Sequence, residues 1–361
     1  MKLGMFMMPC HDPRRDVHLA LLEDVAAAVH ADRVGFDEFW MGEHYAAPSE
    51  PVTSPFAFLG NLIARTKTMK LCTGMINLPQ QNPAVVASHA ALLDHLSEGR
   101  FIFGVSPGGL PSDFELFKTP DPKARSEMME ESVAMMLRLW QQDAPYELKG
   151  KYWDITIKQW VYPELGVGSL LKPYQKPHPP MAVSAMSPFS GTARFAGTQG
   201  FLMISGHFCA EFAIKSQWQA YCQGALSTGR TPDPDVWRIA RPIFVHPDRA
   251  RAQEYFFDPK GPFHALYRYL IGLVGKAGQL SLFKNAKDMP DEAVTVEYAL
   301  TEFGIYGDPD TVAERILRLN QAVGPFGGIV MMAMEYLDRA MIEQSMQLMA
   351  EAVMPRINGK L

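Results

Sequence analysis

A chain of 361 residues with 47% hydrophobic and 20% charged residues holds enough apolar material for a large core without disulfide or metal staples. A net charge of −5 with no Lys/Arg stripe argues against a nucleic-acid surface, and no apolar run approaches the roughly 20 residues that span a bilayer. Cys10, Cys72, Cys209 and Cys222 are scattered with no pair at metal-ligand spacing, so neither zinc nor disulfides are expected.

Residues 2–8 (KLGMFMM) form a short apolar run that stops at Pro9 and reads as a core strand rather than a cleavable signal, which makes the protein cytoplasmic by expectation. A helical pattern over 16–33 closes at Gly35, a strand covers 36–43, and after a Pro/Ser loop a second helix covers 56–65. This order has the period of a βαβ unit. Residues 70–78 then read as strand, 84–96 as an alanine-rich helix, 101–106 as a fourth strand and 127–142 as a helix. The polar and aromatic stretch over 143–180 has no clean period and is expected to be an insertion over a barrel mouth. Strands resume at 181–187, 201–205 and 239–245, with a helix over 211–223, and a last strand at 328–334 precedes a C-terminal helix.

About eight strands is the number that closes a (β/α)8 TIM barrel, so the chain is predicted to be α/β, one domain over 1–361, with insertions at the C-terminal face of its strands. The irregular segment 252–304, with Gly-Pro and Gly-Lys breaks, is where a mobile lid is expected. An open doubly wound sheet would carry Gly-x-Gly-x-x-Gly after its first strand; Pro9-Cys10-His11-Asp12-Pro13 stands there instead.

Parallel strands deliver chemistry at their C-terminal ends, and three such ends converge on one expected pocket. His44 leaves the second strand beside Glu43 and Tyr45, where an imidazole can take or give a proton near neutral pH; the plain alternative is a loop histidine held by hydrogen bonds. Gly74-Met75 interrupts an apolar strand, as a bulge or as a non-prolyl cis peptide would. Ser106-Pro107-Gly108-Gly109 and the turn containing Met186, Ser187, Ser190 and Gly191 offer hydroxyls and free backbone N–H groups that suit a phosphate, or that serve simply as helix caps. Arg194 either adds charge to that turn or lies on the surface. The 22 methionines favour an adaptable apolar interior, although core packing explains most of them, and Phe6, Trp40, Met186 and Phe208 are expected to bound a substrate pocket.

At these residues the sequence resembles the bacterial luciferase-like flavin monooxygenases. Glu43-His44-Tyr45 is similar to that family's Glu-His-aromatic ending of strand two, and Cys72 through Pro79 with Asn82-Pro83 is similar to its third-strand signature. Asp94-His95-Leu96-Ser97-Glu98-Gly99-Arg100 resembles the segment leading into strand four. The resemblance implies that His44 is catalytic, with Glu43 and Tyr45 as orienters. It places a cis peptide at Gly74-Met75 against the flavin, and Asn77, Ser106, Gly108, Gly109, Met186, Ser187, Ser190 and Gly191 around the cofactor. It further implies reduced FMN supplied by a separate NAD(P)H:flavin reductase, reaction with O2 through a C4a-(hydro)peroxyflavin, and oxygenation of a small, mostly apolar organic substrate, by hydroxylation or Baeyer–Villiger insertion. Helix 84–96 corresponds to a dimer interface in the family, which makes a homodimer the expectation; alternatively the helix packs only on its own barrel. Where luciferase itself carries cysteine and arginine after strand four, this chain has Ser106 and Pro107, so the phosphate must either find its positive charge elsewhere or rely on Ser187, Ser190 and backbone amides. A deazaflavin-dependent hydride-transfer enzyme and a non-catalytic flavin-binding barrel are the competing readings.

Overall fold

Short apolar runs bounded by glycine and polar residues become the staves of a closed parallel barrel. The computed structural model describes residues 1–361 except Pro9, Pro120 and Tyr336, so the expected stop at Pro9 lies outside the described residues. Numbering the barrel strands alone, they are β1 (Lys2–Met7), β2 (Glu38–Met41), β3 (Lys70–Thr73, continued by Ile76–Asn77), β4 (Phe101–Ser106), β5 (Met181–Ala185), β6 (Leu202–Ser205), β7 (Trp237–Arg241) and β8 (Gly328–Met332). Each pairs with its neighbours in chain order, and β1 closes the ring on β8 with Lys2 opposite Gly328 and Phe6 opposite Met332.

Helices surround the barrel: α1 (Val17–Val34), α2 (Pro55–Leu62), α3 (Pro83–Leu96), α4 (Pro111–Leu116), α5 (Pro122–Gln141), α6 (Gly191–Gln199), α7 (Glu211–Ser227), α8 (Arg249–Phe256), α9 (Pro262–Lys276), α10 (Val296–Phe303), α11 (Pro309–Val323) and α12 (Arg339–Leu348). Their starts are set by short polar caps: Asp16 accepts from Leu19 N, Asn82 from Ala84 N and Asp308 from Thr311 N, satisfying N–H groups that the first turn leaves free.

Side chains alternate along each strand, so Phe39 turns outward to stack on Phe58 of α2 while Glu38 and Trp40 turn into the barrel. There Glu38 meets Arg238 of β7: Oε1 accepts from Nη2 at 2.7 Å, and both carboxylate oxygens accept from Nε at 3.0 and 3.2 Å. The Trp40 indole N–H donates to Glu38 Oε2 at 3.1 Å, so the buried pair has a further neutral donor.

The structure differs from the expected elements at several points. The strand foreseen over 239–245 is two: Pro242 cannot donate a ladder hydrogen bond, and Ile243–Val245 leave the barrel to pair in parallel with Ile305–Gly307. The strand over 70–78 is broken at Gly74–Met75, whose peptide bond is cis. The 252–304 segment is far from irregular, because its apolar residues recur at helical spacing and form most of α8, α9 and α10. Within 143–180 an antiparallel hairpin, Tyr146–Lys149 with Asp154–Ile157, precedes irregular chain.

Arg238→Met leaves the Glu38 carboxylate buried without its cation and is expected to destabilise the fold by about 3–5 kcal/mol, read as a lowered urea midpoint. Converting Glu38 to Met as well should recover much of that loss. An unchanged midpoint in the single variant would contradict this role.

Candidate active site

One continuous set of hydrogen bonds stitches the C-terminal ends of β2, β3 and β4. Glu43, 3% exposed, accepts from Asn77 N at 2.8 Å, from Gln81 Nε2 at 3.1 and 3.2 Å, and from the Tyr45 hydroxyl at 3.5 Å. Asn77 Nδ2 donates to the Glu43 carbonyl, and Asn77 Oδ1 accepts from Ser106 Oγ at 2.7 Å. Ser106 Oγ in turn accepts from Gly108 N at 3.0 Å. Glu43, Tyr45, Asn77, Ser106 and Gly108, expected at the site from sequence, are thus brought together.

His44 is held from two sides. Its Nδ1 lies 3.2 Å from Oδ2 of Asp113 in α4, a carboxylate with 0% exposure that also accepts from Ala46 N at 2.8 Å and Tyr45 N at 3.1 Å. Burial alone would raise the Asp113 pKa; the His44 bond and the backbone N–H groups overcome it and hold the acid below its ordinary range. An ionised carboxylate only accepts, so Nδ1 carries a hydrogen. Opposite, Glu50 Oε2 stands 3.8 Å from His44 Nε2. Burial pulls the imidazole pKa down, but the Asp113 bond and the charges of Glu50, Asp113 and Glu43 outweigh it, and the net shift is upward. Burial pushes Glu43 up to about 7 against the opposing pull of Asn77 N–H, Gln81 and His44.

Glycines carve the floor of the mouth. A Cβ on Gly74 would stand 3.0 Å from Trp40 Cβ and 3.2 Å from the Phe6 ring, and one on Gly104 would meet Thr73 O at 2.0 Å and Met75 Sδ at 2.5 Å. Gly42 makes the same room for Met8 Sδ and Gly206 for Met186 Sδ, so thioethers from neighbouring strands fill spaces that side chains would otherwise occupy. Trp40 itself corrects the expected pocket wall. It is 0% exposed and donates down to Glu38, so it plugs the barrel beneath Gly74 and presents no surface to a substrate.

The turn after β5 forms a second group on the same rim, next to β4. Met186 and Ser187 are exposed, and Gln217 Nε2 donates to Ser187 O at 3.2 Å. Ser190 is buried and its hydroxyl accepts from Ala193 N as the cap of α6, which begins at Gly191. Arg194 is exposed on α6, and Gly109 has open space beside it. Phe208, after β6, is buried and stacks on Phe283 at 5.0 Å, within the 252–304 segment.

Several residues at the mouth escaped the sequence reading. Gln80 lies beside Gly108 with Oε1 buried and without a hydrogen-bond partner, and the Arg125 guanidinium sits 3.6 Å over the Phe114 ring, itself packed at Gly108. The α9 helix reaches two loops from opposite sides of the barrel: the Tyr269 hydroxyl donates to Glu50 Oε2 at 2.9 Å after β2, and the Tyr267 hydroxyl reaches His207 O at 3.5 Å after β6. For Asp113 the available signal was Pro111-Ser112-Asp113 after a glycine turn, which reads as a helix start.

The luciferase-like monooxygenase family model matches residues 1–324. The chain belongs to the luciferase-like monooxygenase family. As such it is a flavin-dependent monooxygenase. It is 31% identical to 4-hydroxyprotoasukamycin monooxygenase of Streptomyces nodosus subsp. asukaensis over 99% of this chain and 92% of the relative. It is 26% identical to 3,6-diketocamphane 1,6-monooxygenase of Pseudomonas putida over 99% and 98% of the two chains. The solved oxygenating constituent of Pseudomonas putida 3,6-diketocamphane monooxygenase, a type II Baeyer–Villiger monooxygenase in complex with FMN, superposes with a TM-score of 0.88 at 27% identity, covering 99% of this chain and 98% of that one. Among the described residues no helix of this family member is long and apolar enough to cross a membrane.

The Glu43 shift carries a sign. A pKa of about 7 lies above the ordinary 4.5, so the folded protein keeps a proton that the unfolded chain releases. Its contribution to stability is full below the unfolded value and declines as pH rises through the folded one, by about 3 kcal/mol in all. Glu43→Gln removes that decline, so urea unfolding should show the variant gaining on the wild type from pH 4.5 to 8. Parallel pH profiles for the two proteins would contradict the assignment.

Proposed function

We propose that this protein is the oxygenase component of a two-component system that takes reduced FMN from a separate NAD(P)H:flavin reductase and uses O2 to oxygenate a small, mostly apolar, cyclic substrate. The observation that carries this reading is a histidine, fixed by a buried carboxylate, on the rim of an apolar barrel mouth floored by Phe6, Gly74 and Met75. The likeness to a type II Baeyer–Villiger oxygenase favours insertion of oxygen next to a ring carbonyl.

The residues present fit a flavin. The Gly74–Met75 step, with Gly74 packed close on Trp40 and Phe6 and Met75 packed close on Gly104, offers an apolar face, while Asn77, Ser106, Gly108 and the unpartnered Gln80 Oε1 offer polar groups at its edge. Gly109, exposed Ser187 and the N-terminus of α6, with Met186, Ser190 and Gly191 shaping it, would hold the phosphate end, and Arg125 beside the Phe114–Gly108 contact would supply positive charge. Bound reduced FMN supplies the electrons that activate O2. His44 holds a proton on the rim and delivers or retrieves it; Asp113 keeps the ring oriented, and Glu43 and Tyr45 fix the loop that carries it. Phe6 and Phe208 would exclude water and bound the substrate, with α9 and its neighbours as a lid.

A homodimer completes the reading. Val85, Leu92 and Leu96 on α3 are 48%, 49% and 56% exposed and give that helix an apolar outer face. The free thiols are in keeping with a cytoplasmic setting.

Supplied with FMN, a flavin reductase, NADH and labelled O2, the protein should convert members of a panel of small cyclic ketones into products one labelled oxygen heavier. Absence of labelled product, or substrate-driven reduction of a bound deazaflavin, would overturn the proposal. His44→Ala should bind FMN as before while product formation falls about 10²-fold or more, and unimpaired turnover would remove the histidine from the reaction. Light scattering at micromolar concentration should give twice the chain's mass, and Leu92→Glu with Leu96→Glu should give the single chain; a monomeric wild type would refute the dimer.

A further inference from the structure

The geometry points to Glu50 and Tyr269 as positioning residues that tie helix α9 to His44, so that the helix across the barrel mouth sets how firmly the imidazole holds its proton. This inference rests on the reading of His44 as the proton-handling residue.

The sequence places Glu50 on the far side of the ring from Asp113 by folding the chain back on itself. His44 N donates to Val52 O at 3.2 Å and Glu50 N to Ala47 O at 2.8 Å, closing a compact loop after β2. Glu50 is then 6% exposed, with Oε2 at 3.8 Å from His44 Nε2. That separation exceeds a hydrogen bond, so Nε2 feels the carboxylate's charge without spending its hydrogen on it. Tyr269, on α9 and 219 residues away in sequence, donates to the same Oε2 at 2.9 Å. The Tyr267 contact with His207 O anchors the other side of α9 to the loop after β6.

The groups facing this pair come from every element around it. His44 is met by Asp113 from α4, by Glu43 from the end of β2 and by Glu50. Glu50 is met by His44 and Asp113, by Tyr269 from α9 and by the Cys10 thiol after β1; Asp24 of α1 lines a small cavity of about 10 Å³ together with it. Burial raises the Glu50 pKa, while His44 and the Tyr269 hydroxyl pull it back toward the ionised form. The Tyr269 hydroxyl therefore acts on His44 at one remove: losing it makes Glu50 easier to protonate, and a protonated Glu50 no longer supports a positive imidazole.

The test reads His44 directly. In the full chain, imidazole resonances are followed by NMR against pH, with His44→Gln to assign the signal. Glu50→Gln should lower the His44 midpoint by on the order of one pH unit, as loss of an opposite charge at this range does. Tyr269→Phe should lower it by less, and the double variant by no more than Glu50→Gln alone. The limb of the pH–rate profile, measured with reduced FMN, O2 and a converted ketone, should move with the NMR midpoint, with the KM for the ketone little changed.

A His44 midpoint unmoved in Glu50→Gln overturns the inference, as does a Tyr269→Phe shift that simply adds to it. Should Glu50→Gln fail to fold, Tyr269→Phe, which keeps the ring and removes only the hydroxyl, still decides: an unmoved midpoint refutes the relay. If His44→Ala keeps full turnover while the NMR shifts stand, the functional reading falls and the coupling survives. If His44→Ala is inactive and the shifts are absent, only the coupling falls.

Discussion

A carboxylate taken out of water must be hydrogen-bonded on all sides, and Asp113 meets that demand by gripping three consecutive residues after β2. His44 gives a ring N–H, Tyr45 and Ala46 give backbone N–H groups, and the loop has little freedom left. The short helix α4 delivers this side chain: Leu110 stands at its N-cap after Gly108–Gly109, and Pro111 opens it. The imidazole's orientation and its tautomer depend on that one buried anion.

Polarity changes in layers along the barrel axis. The Glu38–Arg238 pair lies deepest, capped by the Trp40 indole; above Trp40 come Phe6, Gly74 and the thioethers of Met75, Met8 and Met186; the hydrogen-bonded rim of Glu43, Asn77 and Ser106 stands around them. Under the proposed function, an apolar floor beneath a polar rim would suit a flat, amphipathic ring system and an apolar substrate, because water would be excluded where the ring faces packed while the ring edge found partners. Glycine at 42, 74, 104 and 206 makes the floor. Each stands where a Cβ would strike a neighbour, so the strand ends can come close without projecting side chains of their own.

Much of this was legible because parallel strands buried on both faces are near-continuous apolar runs, and their ends announce themselves with Gly, Ser and His. The eight staves and the break at Gly74–Met75 followed from that pattern, and Glu43, Asn77 and Ser106 lie hydrogen-bonded at adjacent strand ends. Residues whose roles depend on long-range placement stayed hidden. Asp113 lies 69 residues from His44 and Tyr269 lies 219 from Glu50, and nothing in a local window marks either as a partner. Trp40 looked like a pocket wall because a strand-end aromatic can face either the mouth or the interior; the bond to Glu38 decides for the interior. The 252–304 stretch looked broken because Pro259, Gly261, Gly278 and Pro290 fall between three helices, α8, α9 and α10, and do not prevent them.

The central claim is that the strand ends enclose a flavin beside a carboxylate-held imidazole. A crystal structure of the protein soaked with FMN tests it most directly. The account predicts the ring system lying on the Gly74–Met75 step, within reach of His44, with its phosphate toward Ser187 and the α6 N-terminus. FMN bound away from that mouth, or a ring separated from His44 by ordered protein, would contradict it.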